Sequence, residues 1–93
     1  MLDLDRIYVL DENIILKSIN DKFWALDTKS GKQYKLNRTA YDLLSQLDNY
    51  HKMKDILIDV SSRYDVEPDV FQKDANRLIE YALQVGIVKK EEF

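Results

Sequence analysis

Apolar and polar positions along the chain change period once, near residue 37. Before it, Ile14, Ile15, Leu16 and Ile19 make a β-branched and aliphatic run that includes Lys17 and Ser18, and Phe23-Trp24-Ala25-Leu26-Asp27-Thr28 follows the turn pair Asn20-Asp21. These stretches predict strands over 14–19 and 23–28. Lys29-Ser30-Gly31 reads as a second tight turn, with Gly31 free to take positive φ, and Lys32-Gln33-Tyr34-Lys35-Leu36 alternates as a third strand over 32–36. Two hairpins give an antiparallel meander. A bare sheet of three strands is marginal in water, so its apolar face needs a cover.

The rest of the chain supplies that cover as helices. Asn37 is a good N-cap, and Ala40, Leu43, Leu44 and Leu47 recur at helical spacing, predicting a helix over 38–48. Met53, Ile56, Leu57, Val60 and Tyr64 share one face of a second helix over 52–64, while Lys52, Lys54, Asp55 and Asp59 face water. Pro68 suits a first helical turn, and Phe71, Ala75, Leu78, Ile79 and Ala82 carry a third apolar stripe over 68–85 toward Gly86, a natural C′ residue. Ile87-Val88 is expected as a short strand or packed tail, and the charged end from Lys89 to Phe93 is expected to fray. With 93 residues and no repeat or linker, the expectation is one α+β domain over 1–93, a three-stranded antiparallel sheet followed by a three-helix bundle.

Composition narrows the chemistry. The absence of Cys removes disulfides, thiolate metal sites and cysteine nucleophiles, and the lone His51 lies in an interhelix turn, so no metal site is expected. Phosphate-cradling Gly loops, H-E-x-x-H and G-x-S-x-G are missing, so neither an enzyme nor a cofactor is expected. No apolar run approaches the roughly 18 residues of a membrane span. Nor does the chain start like a signal peptide, so a cytoplasmic protein without a membrane partner is expected. A net charge of −3 argues against non-specific affinity for nucleic acid, which requires clustered Lys and Arg.

Two features stand out from this ordinary background. Lys29, Lys32, Lys35 and Arg38 place four positive charges on the third strand and its flanks without an intervening acid. Lysine on an edge strand deters edge-to-edge association; it also suits the docking of an acidic peptide. Beside its core stripe the third helix carries a second one, Val70, Asp74, Arg77 and Tyr81, with Leu78 between it and the core. Tyr81 either snorkels from the core to water or forms part of a peptide-facing wall.

The stretch Tyr34-Lys35-Leu36-Asn37-Arg38-Thr39-Ala40-Tyr41-Asp42-Leu43-Leu44 is similar to a Leu-Asn-x-Thr-Ala lead-in to a first helix found in the PqqD-like family, the recognition domains of ribosomally made, modified peptides. Lys52-Met53-Lys54-Asp55-Ile56, Tyr64-Asp65-Val66, Val70-Phe71-Gln72-Lys73-Asp74 and the close from Leu78 to Val88 resemble the same family, covering about 13–88. Asn49-Tyr50-His51 departs from it, standing where many members have an Asp-Gly turn.

The resemblance implies a winged-helix-like, non-catalytic domain that binds the leader of a precursor peptide. The leader is expected to add as a strand to the third strand's edge, in the cleft against the third helix. The implied peptide site is Lys32, Gln33, Tyr34, Lys35 and Leu36 on one wall and Val70, Asp74, Arg77, Leu78 and Tyr81 on the other. A partner processing enzyme is implied, a lasso-peptide leader peptidase being favoured over a radical enzyme of quinone-cofactor synthesis. Two rivals are an assembly module that only positions an enzyme and a winged-helix DNA-binding regulator. Against the latter, residues 42–80 hold nine acids and five bases.

Overall fold

The computed structural model describes residues 2–91. Strand β1 (Tyr8–Leu10) precedes the meander of β2 (Ile14–Ile19), β3 (Lys22–Asp27) and β4 (Gln33–Leu36). Helices α1 (Arg38–Ser45), α2 (Met53–Tyr64) and α3 (Pro68–Val85) follow, and β5 (Val88–Lys90) closes the chain. The sheet order is β2-β3-β4, antiparallel throughout, as the alternation predicts.

Turn chemistry sets the register. Asn20 and Asp21 both take positive φ, 51° and 64°, the left-handed geometry a two-residue hairpin needs and these residue types tolerate. At the second hairpin Gly31 sits at φ 79°, its N–H donating to the Asp27 carbonyl while the Asp27 N–H donates to that of Lys32. This pattern is a bulge that requires glycine at its first position. Leu16, Ala25 and Tyr34 consequently lie in one row on the inner face, with Ala25 fully buried.

The helices lie on that face. Asn37 caps α1, its side chain accepting from the Ala40 N–H at 2.7 Å. The sequence predicts helix to residue 48, but α1 ends at Ser45, because the Gln46 and Leu47 N–H groups bond the carbonyls three residues back and tighten the chain out of the α-helix. Leu47 is still buried, so its apolar spacing is real although its backbone is not helical. Asp48 then accepts from the backbone N–H groups of Tyr50 and His51 and from the His51 ring. Those bonds, led by the His51 N–H, hold its carboxyl down to about 2. Helix α3 ends at Gly86, φ 87°, as its sequence position predicts.

One pairing escapes the sequence pattern. β1 lies antiparallel to β5, with Val9 opposite Lys89 and Leu10 opposite Val88. The expected fraying is therefore corrected at Lys89 and Lys90, while Glu92 and Phe93 lie outside the described residues. The Glu91 N–H still reaches the Ile7 carbonyl at 2.9 Å. Three-residue strands carry too little alternation to be read. Tyr8 and Val88 enter a core shared with Leu43, Leu44, Met53, Val60, Ile79, Ala82 and Ile87.

Candidate functional site

Strand β4 pairs with β3 on one side and ends the sheet order on the other. Because the Asp27 N–H bonds the Lys32 carbonyl, and hydrogen-bonded and non-bonded pairs alternate along an antiparallel ladder, Ala25–Tyr34 and Phe23–Leu36 are the bonded pairs. The main-chain N–H and C=O groups of Gln33 and Lys35 therefore point away from β3, toward the open edge.

A groove of about 400 Å³ lies between the start of α1 and α3. Leu43, Phe71 and Ala75, all buried, form its apolar floor, and Asn37, Thr39 and Ala40 form the α1 side. From α3, Asp74, Arg77 and Leu78 line the other side. Tyr34 and Tyr81 meet edge to face with ring centroids 6.5 Å apart, so the β4 and α3 walls touch through their aromatic residues. Tyr81 remains 51% exposed, leaving half of its surface free to meet something else.

The structure divides the residues expected on the two walls. Tyr34, Tyr81, Asp74, Arg77 and Leu78 gather at or beside the groove, and Leu36, like Tyr34, is half-buried on the inner face. Gln33 and Lys35 have their side chains on the opposite face of the sheet, Gln33 beside Trp24 and Leu26 and Lys35 opposite Trp24, so only their backbones border the groove side. Lys32 lies in the turn before β4, and Val70, 52% exposed near the start of α3, does not line the groove. Arg38 is held by Asp21, 3.0 Å away, with its guanidinium 5.1 Å from the centre of the Phe23 ring. The basic run thus loses one member to an internal ion pair.

Leu78 is half-buried, packing against the core on one side and lining the groove on the other. Reasoning from sequence missed Asn37, Thr39, Ala40, Leu43 and Phe71 as groove residues. For Asn37, Thr39 and Ala40 the signal was the N-cap and first turn of α1, which read as helix initiation alone, whereas Leu43 and Phe71 read as apolar stripe positions of α1 and α3.

Residues 24–88 match the family described as coenzyme PQQ synthesis protein D, PqqD. The chain belongs to the PqqD family. The match runs from β3 to the first residue of β5 and so includes α1 and α3, which line the groove, and β4, the edge strand that leads into α1. Among solved structures, TbiB1 in complex with the TbiA(beta) leader peptide superposes with a TM-score of 0.76 at 13% identity, covering 91% of this chain and 99% of that one. A lasso peptide synthetase B1 complexed with the leader peptide gives 0.75 at 24% identity, covering 89% and 98%. No curated protein matches the chain in sequence. At such identities the likeness is one of fold, and it extends over nearly the whole chain.

Among the described residues no three His, Asp or Glu side chains gather in a metal-binding group. No described helix is long and apolar enough to cross a membrane.

Proposed function

We propose that this PqqD-family protein binds the leader segment of a ribosomally made precursor peptide as a fourth strand on β4 and presents it to a processing enzyme. The observation that carries the reading is the open edge at Gln33 and Lys35 beside a groove with an apolar floor. Both superposing structures are leader-peptide complexes, which supports the same occupant here.

Energetics assign separate tasks to edge and groove. Two residues with outward N–H and C=O groups offer about four backbone hydrogen bonds, each worth roughly 1 kcal/mol net. That falls short of the approximately 8 kcal/mol of micromolar binding, before any cost of ordering the peptide. An apolar leader residue against Leu43, Phe71, Leu78 and Tyr81 supplies the remainder and the selectivity, while the backbone ladder accepts many sequences. Lys29, Lys32 and Lys35 favour an acidic leader. On this reading the domain is a cytoplasmic adaptor with no catalytic step of its own, and a lasso-type leader peptidase is the favoured partner because one superposing protein is a lasso peptide synthetase B1. The helices, with their excess of acids, do not favour the DNA-binding alternative.

The test is amide exchange with and without a synthetic leader. Exchange should slow at the Gln33 and Lys35 N–H groups, whereas Tyr34 and Leu36, already bonded to β3, should change little. Slowing confined to α1 and α2 would place the peptide elsewhere.

A further inference from the structure

The face of the sheet turned away from the helices is not the polar surface that a half-covered meander usually presents. Its rows place Ile15 opposite Leu26, Lys17 opposite Trp24, and Ile19 opposite Lys22. Ile15 is 48% exposed and Ile19 57%, and Trp24 and Leu26 are half-buried beside them. A shallow depression of about 180 Å³ lies among Lys17, Ile19, Trp24, Leu26 and Gln33.

Charge on this face is segregated. Lys17, Lys22 and Lys35 are exposed around the apolar centre, and none of the outward-facing strand positions is acidic, although the chain as a whole carries 17 acids against 14 Lys and Arg. Lysine stems that merely shielded Trp24 would not leave two isoleucines half exposed.

We propose that this outer face is the docking surface for the processing enzyme, which meets it with an apolar patch rimmed by Asp and Glu. The identity of the enzyme rests on the function proposed above; the chemistry of the surface does not. Complementary charge selects such a partner over a second copy of the chain, which would bring lysines against lysines. The face is also continuous with the open edge, since Gln33 and Lys35 contribute side chains to the outer face and main-chain groups to the edge. A strand added there extends the face by one row, so an enzyme seated on it touches the bound leader as well.

The probe is the purified processing enzyme encoded with the precursor, measured against the parent protein, Ile19→Glu and Lys17→Glu. Both positions are exposed and lie on β2, with β3 between them and the peptide edge. Each substitution should weaken enzyme affinity at least tenfold, leave leader affinity within twofold and leave the thermal midpoint near that of the parent. The parent's enzyme affinity should also fall as salt rises. Lys17 is exposed and outside the core cluster, so Lys17→Glu keeps the test valid if Ile19→Glu unfolds.

Unchanged enzyme affinity in both variants, with leader binding intact, overturns this surface and leaves the proposed function standing. Failure of the parent to bind leader overturns the function itself. Self-association of the parent that Ile19→Glu abolishes would assign the face to a second copy. Lys17-dependent co-sedimentation with phosphatidylglycerol vesicles would assign it to a membrane. Either result overturns an enzyme dock.

Discussion

Tyr81 illustrates how one exposed residue acquires a role from its neighbours. Its ring meets Tyr34 of the edge strand edge to face, and half of its surface stays exposed. Truncating a stiff amphipathic anchor of this kind commonly costs about 2 kcal/mol of binding or more, close to thirtyfold in affinity. Tyr81→Ala should therefore show that loss for a synthetic leader by calorimetry, while the fold gives up only about 1 kcal/mol from the aromatic pair. Leu78→Ala should behave differently. A fully buried leucine costs roughly 2 to 5 kcal/mol on truncation, but Leu78 is half-buried and lines the groove, so about 1 to 2 kcal/mol of stability should be lost together with leader affinity. Leader binding by Leu78→Ala equal to the parent's would remove it from the proposed site. From the sequence Tyr81 was legible as part of a flank of α3 and Leu78 as the apolar position between that flank and the core. Whether each faced core, groove or water was not, because helical period fixes relative direction and leaves open what stands opposite.

At the scale of elements, the junction of α1 and α2 is held by a hydrogen bond from the Tyr64 hydroxyl to the Asp42 carboxylate. Burial, and next the Asp42 carboxylate accepting that bond, raise the Tyr64 phenol above its usual 10.0. A group whose pKa is higher folded than unfolded stabilises the fold fully below the unfolded value and ceases to do so as pH rises through the folded one. The stability advantage of the parent over Tyr64→Phe should thus hold up to about pH 10 and shrink above it, as followed by urea midpoints across that range. An advantage that stays constant well above pH 10 would mean the bond does not form in solution. The strands β2 and β3 follow the residue pattern closely because alternation and turn residues agree there. The end of α1 does not, since Leu47 keeps its apolar position while its backbone leaves the helix.

For the whole molecule, β1 and β5 tie the two ends of the described chain together beside the core. Tyr8 is 1% exposed and its hydroxyl accepts from the Asp3 N–H at 3.0 Å. Tyr8→Ala should cost about 3 kcal/mol or more, by analogy with other buried aromatic truncations. For a domain of this size that loss lowers the thermal midpoint by roughly 10 to 20 °C. A change of only a degree or two would show that the β1–β5 clasp contributes little to the fold.

Local sequence by itself determined the meander, the three helices and the open β4 edge, because alternation, helical period, the Asn37 cap and the Gly31 and Gly86 turns are written in adjacent residues. It also marked the flank of α3 that faces the proposed peptide. Only the tertiary structure decided that Lys89 and Lys90 pair with a strand near the other end of the chain, that Asp21 takes Arg38, and that the start of α1 closes the groove. It decided as well that the side chains of Gln33 and Lys35 lie on the outer face while their backbones serve the edge. Each of these depends on contacts between residues far apart in sequence, which no local period encodes; the direction of the β4 backbone groups follows from the Gly31 bulge, whose hydrogen bonds form only when the hairpin closes.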